Sequence, residues 1–176
     1  MTGEAAGDGD EAILIAYGSN LPSGAKTASQ AFAQLVKTLE ARGLIITKIS
    51  RLWRSKAWPD PKDPDYVNAV LAVESSLPPH DLLHLLHAVE RDAGRTGHGA
   101  KNAPRVLDLD LIAHGRRTID APGLVVPHPR SHERGFVMGP LAEILPGWIH
   151  PRLNINAKNL YKTVSIGLDA HPMDEM

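Results

Sequence analysis

The chain has 176 residues, enough for one compact domain that buries roughly 70% of the surface its unfolded chain would expose. Its 19 basic and 20 acidic residues give a formal charge of -1, which argues against bulk electrostatic binding to nucleic acid or to a membrane. The absence of cysteine excludes disulfides, thiolate nucleophiles and cysteine-ligated metal centres. We therefore expect a soluble, cytoplasmic protein that is a monomer and binds neither nucleic acid nor membranes.

The first predicted elements follow an acidic, glycine-rich start at residues 1–11, which we expect to be flexible. An apolar strand at residues 12–17 leads into a turn-rich loop at residues 18–24. Apolar residues at helical spacing then predict a helix that ends at Gly43. Residues 44–53 are rich in β-branched side chains and predict the second strand.

The middle of the chain continues with a proline-rich loop at residues 54–65, a strand at residues 66–75 and a helix that starts after Pro78 and ends at Gly94. A polar loop precedes the strand that contains Asp108 and Asp110, and a helix is predicted at residues 136–144. The order strand, helix, strand, strand, helix, strand is typical of a ferredoxin-like βαββαβ sandwich. We therefore predict an α+β fold with C-terminal additions, in which helices cover one face of the sheet and the other face is open.

The predicted domain organisation is a single domain at residues 12–165, followed by a flexible tail at residues 166–176. No internal repeat is present.

The most informative segment is PRVLDLDL at residues 104–111, because it places two acidic side chains at i and i+2. In a strand, Asp108 and Asp110 share one face, about 7 Å apart at their Cα atoms, while the leucines face a core. Such a pair can bind two divalent cations that clamp phosphate oxygens. A half-exposed strand alternates in the same way without any function. Four cations lie just upstream and favour the phosphate interpretation; they are Arg91, Arg95, Lys101 and Arg105.

Two other patterns resemble known binding motifs. The glycine loop at residues 18–27 has the wrong spacing for a phosphate loop, because Ala25 separates its second glycine from Lys26. His80, His84 and His87 share a helical face that could bind zinc, but an ordinary solvated face explains them better.

Aromatic and polar side chains near the proline loop suggest a site for a flat heterocycle. Tyr66 and Asn68 begin the strand after this loop, and an aromatic pair with an amide can stack such a ring and hydrogen-bond to its edge. His128 lies in a rigid loop between two prolines, close to Arg130 and Arg134, where either a packing role or phosphate binding is possible.

Several of these motifs together resemble one family, the 6-hydroxymethyl-7,8-dihydropterin pyrophosphokinases of folate synthesis. The resemblance runs from Ala12 to about Pro151. It rests on GSNL at residues 18–21, PDYVNA at 64–69, GR at 94–95, PRVLDLD at 104–110, VPHPR at 126–130 and ERGFV at 133–137. The resemblance implies a ferredoxin-like enzyme that transfers the pyrophosphoryl group of ATP to the pterin hydroxymethyl oxygen and releases AMP.

The same resemblance assigns the phosphate side of the site. It implies that Asp108 and Asp110 bind two Mg²⁺ ions, and that the hydroxyl proton is lost either to Asp110 or through acidification of the hydroxyl by the metal alone. Arg95 and Arg105 would stabilise charge on the transferred group, while His128 and Arg134 would bind the triphosphate. Three further expected contacts with ATP are Glu90, Lys101 and Leu111.

The pterin side is implied in the same way. Tyr66 and Phe136 resemble the pair that stacks the pterin ring, Asn68 resembles the residue that reads its edge, and Ser55 supplies a further polar contact. Many family members carry a tryptophan that seals the pocket where this chain has Lys101-Asn102-Ala103, and a second arginine where it has Gly97. Trp58 is a candidate for the lost contact, and we expect the loops to close differently.

Two alternatives remain open at this level. One is a catalytically silent relative that binds pterin or nucleotide, which the altered loop would explain. The other is a ferredoxin-like interaction module for RNA, although the paired aromatic motif of such modules is missing.

Overall fold

A computed structural model of the chain describes residues 9–20, 25–94 and 107–174. The strands are β1 (Ile13–Ser19), β2 (Ile45–Ile49), β3 (Trp53–Ser55), β4 (Tyr66–Glu74), β5 (Asp108–His114), β6 (Ile119–Ala121), β7 (Leu124–Val126) and β8 (His171–Pro172). The helices are α1 (Ala25–Ala41), α2 (Pro79–Asp92), α3 (Gly135–Ile144) and α4 (Ala157–Tyr161), with a 3₁₀ turn at Ser131–Glu133. None of the helices in these ranges is long and apolar enough to cross a membrane.

The main sheet is antiparallel and has the strand order β5-β1-β4-β3-β8 in the described part of the chain, with β2 also pairing with β4. This is the order expected when two βαβ halves interleave, so the predicted ferredoxin-like α+β fold is confirmed. Gly43 and Gly94 follow the first two helices with φ angles of +93° and +96°, and both helices end where the sequence predicts.

The second predicted strand, at residues 44–53, is wrong as a single element. The structure has two short strands, β2 and β3, that pair with successive parts of β4. Between them, the backbone N–H of Val70 donates to the Ser50 hydroxyl at 3.0 Å instead of to a strand carbonyl. This side-chain interaction replaces part of the backbone ladder and therefore divides the strand.

The first strand is longer than predicted, because Gly18 and Ser19 belong to β1 rather than to the following loop. They pair with Asn68 and Val67 of β4, and Gly18 also pairs with Asp108 of β5. The end of β1 therefore lies between Asn68 of β4 and Asp108 of β5.

Helices pack on apolar side chains on both faces of the sheet, so the prediction of an open face is wrong. On the first face, side chains of β1, β4 and β5 pack against α1 and α2. On the second face, Leu14, Val70 and Ile112 pack against α3, α4 and the fully buried Trp148. A short apolar helix over a second apolar strand face buries more surface than an exposed sheet would, which favours the covered arrangement.

Helix α3 approaches the sheet closely at Gly139. A Cβ atom at this position would lie 2.5 Å from Cζ3 of Trp53, so only glycine lets the helix backbone pack on this indole ring. The contact holds the middle of α3 over Trp53 of β3.

The C-terminal strap, defined as residues 165–173, runs from the start of α3 to the edge of the sheet. Its Ile166 forms a parallel bridge with Arg134, and its last strand, β8, pairs with β3. The N–H of Met173 donates to the carbonyl of Leu52 at 2.8 Å. The segment predicted as a flexible tail is thus in contact with the domain in this structure.

His150 gives the fold a pH dependence. Its Nδ1 accepts the N–H groups of Arg152 and Leu153, each at 3.2 Å, and its side chain is buried. Burial lowers the pKa of His150 from 6.5 to about 4, and the neighbouring His132 and Arg152 contribute to this shift. Between these two pKa values the unfolded chain binds a proton at His150 that the folded chain does not. The contribution of neutral His150 to folding stability is therefore complete above pH 6.5 and is lost as the pH falls towards 4.

We therefore expect His150→Asn, which keeps an acceptor oxygen but cannot titrate, to melt with a weaker pH dependence. The measurement is the thermal midpoint at about pH 7 and pH 5 for the parent and the variant. His84→Asn, which changes an exposed histidine of α2, is the matched control. Equal losses of midpoint in the parent and in His150→Asn would contradict the assignment.

Candidate active site

The candidate site is built on one transverse row of the sheet, called here the site row. It consists of Trp53, Asn68, Gly18 and Asp108, which are paired across β3, β4, β1 and β5. Paired residues of neighbouring strands share a face, so these four positions lie on the face that α3 partly covers. Trp53 is under α3, and the other three positions lie beside it, near the start of this helix.

Asp108 and Asp110 lie on this face as half-buried side chains, while Leu107, Leu109 and Leu111 are buried on the opposite face. The predicted alternation of β5 is therefore confirmed. The opposite face also fixes the strand, because Oε1 of the buried Glu90 accepts the N–H of Leu109 at 2.8 Å. A helix residue thus holds the one backbone position between the two carboxylates.

Gly18 leaves a gap between the residues of the row. A Cβ atom at this position would lie 3.7 Å from Oδ1 of Asn68, 3.9 Å from Cβ of Asp108 and 4.0 Å from Cδ1 of Tyr66. The space above Gly18 is therefore bounded by a carboxylate residue on one side and by an amide and an aromatic ring on the other. A small ligand group can lie directly on the strand backbone there.

The amide of Asn68 is held in place by Ser55. Nδ2 of Asn68 donates to the Ser55 hydroxyl at 3.0 Å, and both side chains are buried. With Nδ2 engaged in this way, the amide is oriented and its Oδ1 faces the gap above Gly18. Tyr66, which pairs with Ser55, is half-buried at the edge of the same gap.

Arg134 and Phe136 enter the site from the first turn of α3. The guanidinium carbon of Arg134 lies 5.8 Å from the centroid of the Phe136 ring, and its Nε is buried with no hydrogen-bond partner among the described residues. Burial lowers the pKa of Arg134 from its usual value, and the charge of Asp110 opposes this effect. A half-buried cation whose buried Nε–H has no protein acceptor is suited to bind an anionic ligand.

His128 lies beside these charges. Its ring Nδ1 accepts the backbone N–H of Arg130 at 3.2 Å, and its backbone N–H donates to the carbonyl of Ile112 at 2.9 Å. Burial, together with the positive charges of Arg134 and Arg130, lowers the pKa of His128 from 6.5 to about 4, and the charge of Asp108 opposes this shift. The ring is therefore neutral at neutral pH, and because Nδ1 is an acceptor, Nε2 carries the proton and can donate to a ligand.

Trp58 lies at the outer side of the site on the proline-rich loop. It is 49% exposed, and the guanidinium carbon of Arg130 stacks 5.4 Å from its ring centroid. This cation–π contact joins the loop after β3 to the loop that carries His128. The contact of Trp58 with a ligand stays a prediction.

The other predicted site residues fall into two groups. Arg95, Lys101 and Arg105 lie outside the described residues. Leu111, expected to contact ATP, has its side chain in the core on the opposite face of the sheet, so only its backbone could reach a ligand at the site row.

The donor set fits Mg²⁺. Asp108 and Asp110 provide hard oxygen ligands, and the described residues contain no group of three or more His, Cys, Asp or Glu side chains that could hold a metal by themselves. Mg²⁺ is commonly bound by one or two carboxylates, with waters and substrate phosphates completing its coordination. The two aspartates therefore match a metal that arrives with a phosphate ligand.

Sequence reasoning missed three features of this site. The gap above Gly18 could have been inferred only if β1 had been extended to Ser19. The stacking of Arg130 on Trp58 and the contacts of the C-terminal strap join distant parts of the chain and leave no local pattern.

The gap above Gly18 can be tested directly. The neighbouring atoms lie at ordinary contact distances, so we expect Gly18→Ala to fold with nearly parental stability. The added methyl group would occupy the ligand space and reduce turnover by about tenfold or more. Gly147→Ala is the control, since a Cβ at Gly147 meets nothing within 4 Å. A fully active Gly18→Ala protein in steady-state kinetics would show that no ligand lies in the gap.

The fold and the site together define a ferredoxin-like α+β protein with a carboxylate and guanidinium site at one end of its sheet. A family model for 7,8-dihydro-6-hydroxymethylpterin-pyrophosphokinase matches residues 14–146. This chain belongs to that family.

Individual relatives agree with the family match. A 2-amino-4-hydroxy-6-hydroxymethyldihydropteridine pyrophosphokinase of Synechocystis is 37% identical over 139 residues, which cover 79% of this chain and 69% of the relative. The enzyme of the same name from Porphyromonas gingivalis is 33% identical and is covered over 93% of its length. A folic acid synthesis protein of Pneumocystis carinii is 34% identical over 88% of this chain, which spans only 20% of that longer protein.

Solved structures support the fold. A Plasmodium falciparum HPPK-DHPS triple mutant with SDX-DHP superposes on 86% of this chain with a TM-score of 0.66 and 13% sequence identity. The chain covers 41% of that structure.

Proposed function

We propose that this chain transfers the pyrophosphoryl group of ATP to the hydroxymethyl oxygen of 6-hydroxymethyl-7,8-dihydropterin, giving the pterin diphosphate and AMP in folate biosynthesis. The observation that carries the proposal is the site row, in which Asp108 is two strands away from the oriented amide of Asn68, with the gap above Gly18 between them. This arrangement allows a heterocycle and a metal-bound phosphate chain to lie next to each other.

The pterin is proposed to bind on the Asn68 side. The amide of Asn68, oriented by Ser55, would hydrogen-bond to the ring edge, and Tyr66 and Phe136 would stack on its faces. Trp58, held by Arg130, would cover the pocket from the loop side and exclude water from the reacting groups. These contacts would place the hydroxymethyl group above Gly18.

The triphosphate is proposed to bind on the Asp108 side. Arg134 and the Nε2–H of His128 would donate to phosphate oxygens, and Arg95, Lys101 and Arg105 would add positive charge from the neighbouring loop. Two Mg²⁺ ions held by Asp108 and Asp110 would neutralise phosphate charge and favour loss of the hydroxyl proton. Glu90 would act by fixing the backbone of Leu109 rather than by touching the nucleotide.

The bond changes follow from the products. The hydroxymethyl oxygen attacks the β-phosphorus of ATP, the bond from this phosphorus to the oxygen that bridges the α and β phosphates breaks, and AMP leaves. The hydroxyl proton is lost towards the carboxylate of Asp110. Charge that grows on the transferred group and on the leaving AMP is stabilised by the guanidinium groups.

We further propose that the chain works as a cytoplasmic monomer without nucleic acid. A formal charge of -1 gives no general attraction for nucleic acid, and the lack of cysteine suits a reducing compartment. The chain's own helices cover both faces of its sheet, which leaves no sheet face that a second copy must cover.

The decisive experiment mixes the purified protein with ATP, Mg²⁺ and 6-hydroxymethyl-7,8-dihydropterin and separates the nucleotides, with a control lacking pterin. Pterin-dependent formation of AMP and pterin diphosphate is the expected result. ADP in place of AMP would point to transfer of a single phosphoryl group. Pterin binding without any AMP would identify a silent relative.

A further inference from the structure

We propose that the C-terminal strap, residues 165–173, is part of the pterin pocket and that Asp169 is a positioning residue for it. The inference rests on the proposed function and adds a structural element to it. The pocket has two walls: Phe136 at the start of α3, and the turn formed by Ser55, Lys56 and Trp58 after β3. These walls come from distant parts of the sequence, and the strap contacts both.

The first half of the strap holds the start of α3. The N–H of Gly135 donates to the carbonyl of Ile166 at 2.7 Å, and the N–H groups of Ser165 and Ile166 both donate to the carbonyl of Glu133, at 3.0 and 2.9 Å. These bonds fix the backbone on both sides of Arg134. They are independent of the packing of α3 on the sheet at Gly139.

Gly167 then lies against the Phe136 ring. A Cβ atom at Gly167 would come within 2.5 Å of Cδ1 of Phe136, and the residue has a φ of +68°. A glycine therefore permits both the turn of the strap and its close approach to the ring. The strap limits how far Phe136 can move away from the pocket.

The second half of the strap holds the other wall. Oδ2 of Asp169 accepts the backbone N–H of Lys56 at 2.6 Å. Two residues later, His171 and Pro172 pair with Arg54 and Trp53 of β3. The carboxylate of Asp169 thus anchors the turn between Ser55, which orients Asn68, and Trp58, which lies over the site.

The strap lies beyond residue 146, where the family match ends. Its residues are not placed against the substrates. They act through Phe136 and through the Lys56 turn, so loss of Asp169 should change pterin binding while leaving ATP binding unchanged.

The test compares Asp169→Ala with Asp169→Asn, which keeps a side-chain oxygen that can accept the Lys56 N–H. Asp174→Ala, which removes an exposed carboxylate five positions further along the chain, is the matched control. For each protein, the pterin dissociation constant, the KM for ATP and kcat are measured. Acrylamide quenching of tryptophan fluorescence reports on Trp58, because Trp53 and Trp148 are only 5% and 0% exposed.

We expect Asp169→Ala to weaken pterin binding by about fivefold, as loss of a charge-assisted hydrogen bond implies, with an unchanged KM for ATP. Quenching of Trp58 should increase in the same variant. Asp169→Asn should restore most of the pterin affinity and should return the quenching close to the parental value. Parental pterin affinity and parental quenching in Asp169→Ala would overturn the proposal, as would equal changes in pterin and ATP binding. The quenching measurement needs no substrate, so it tests the role of Asp169. AMP formation by the parent protein tests the proposed function, and the two results are independent.

Discussion

Replacing Asp110 with alanine is expected to abolish AMP formation, with a loss of about 10³-fold or more, while the protein remains folded. On the proposed assignment, the carboxylate of Asp110 is one of two that coordinate Mg²⁺ on the site face of β5, and its loss removes metal coordination together with the proposed acceptor for the hydroxyl proton. Its side chain is half-buried rather than part of the apolar core, so the fold should survive. Nucleotide analysis and a thermal melt measure the two effects.

Asp120→Ala is the matched control for this experiment, because Asp120 is an exposed carboxylate on β6, outside the site. It should form AMP at the parental rate. An Asp110→Ala protein that keeps near-parental activity would refute the assignment of the metal site. Titration of the activity with Mg²⁺ adds a second readout, since the proposed role predicts that excess metal restores little of the lost rate.

Arg134→Ala is expected to have the next largest effect, a fall in kcat/KM of about 10²-fold. Arg134 is a half-buried cation whose buried Nε has no partner in the described parts of the chain, and it lies near Asp110 and Phe136. Loss of a donor that stabilises the charge developing in the transition state lowers the rate more than it weakens substrate binding. The measurement is steady-state kinetics with ATP and pterin varied separately.

Two further variants sharpen this prediction. Arg134→Lys keeps the charge but loses the planar fork of donors, so it should recover only part of the rate. Arg117→Ala removes an exposed arginine from the turn after β5 and should have no effect. If Arg134→Ala raised only the KM for pterin, the residue would belong to the pterin pocket, through its contact with Phe136, rather than to the triphosphate site.

Local sequence patterns predicted the parts of this protein that depend on neighbours along the chain. The alternation in β5 placed Asp108 and Asp110 on one face because the side-chain period of a strand is two. Gly43 and Gly94 marked helix ends because both positions need a positive φ. The motifs shared with the family then identified most of the residues that the structure gathers at the end of the sheet.

Long-range contacts determined what could not be predicted. The division between β2 and β3 depends on a bond from the backbone of Val70 to the side chain of Ser50, and no pattern within residues 44–53 contains this information. The covered second face depends on how α3 and Trp148 pack on it. Asp169 belongs to the pocket only through a backbone N–H far away in the sequence.

The spacing of the site row sets a length scale for substrate selection. Neighbouring strands lie about 4.8 Å apart, so Asn68 and Asp108, two strands apart across Gly18, are separated by roughly 10 Å at the backbone. On the proposed assignment, a substrate must span from its anchored ring edge to its reacting hydroxyl within that fixed interval. A substrate analogue with one additional carbon between the ring and the hydroxyl would fill the same pocket. Its hydroxyl would lie beyond the position set by the proposed metal-binding carboxylates. Hydrogen bonds between the strands fix this distance from Asn68 to Asp108. On the proposed assignment, selection of substrates by length therefore comes from the sheet and does not depend on how the surrounding loops close.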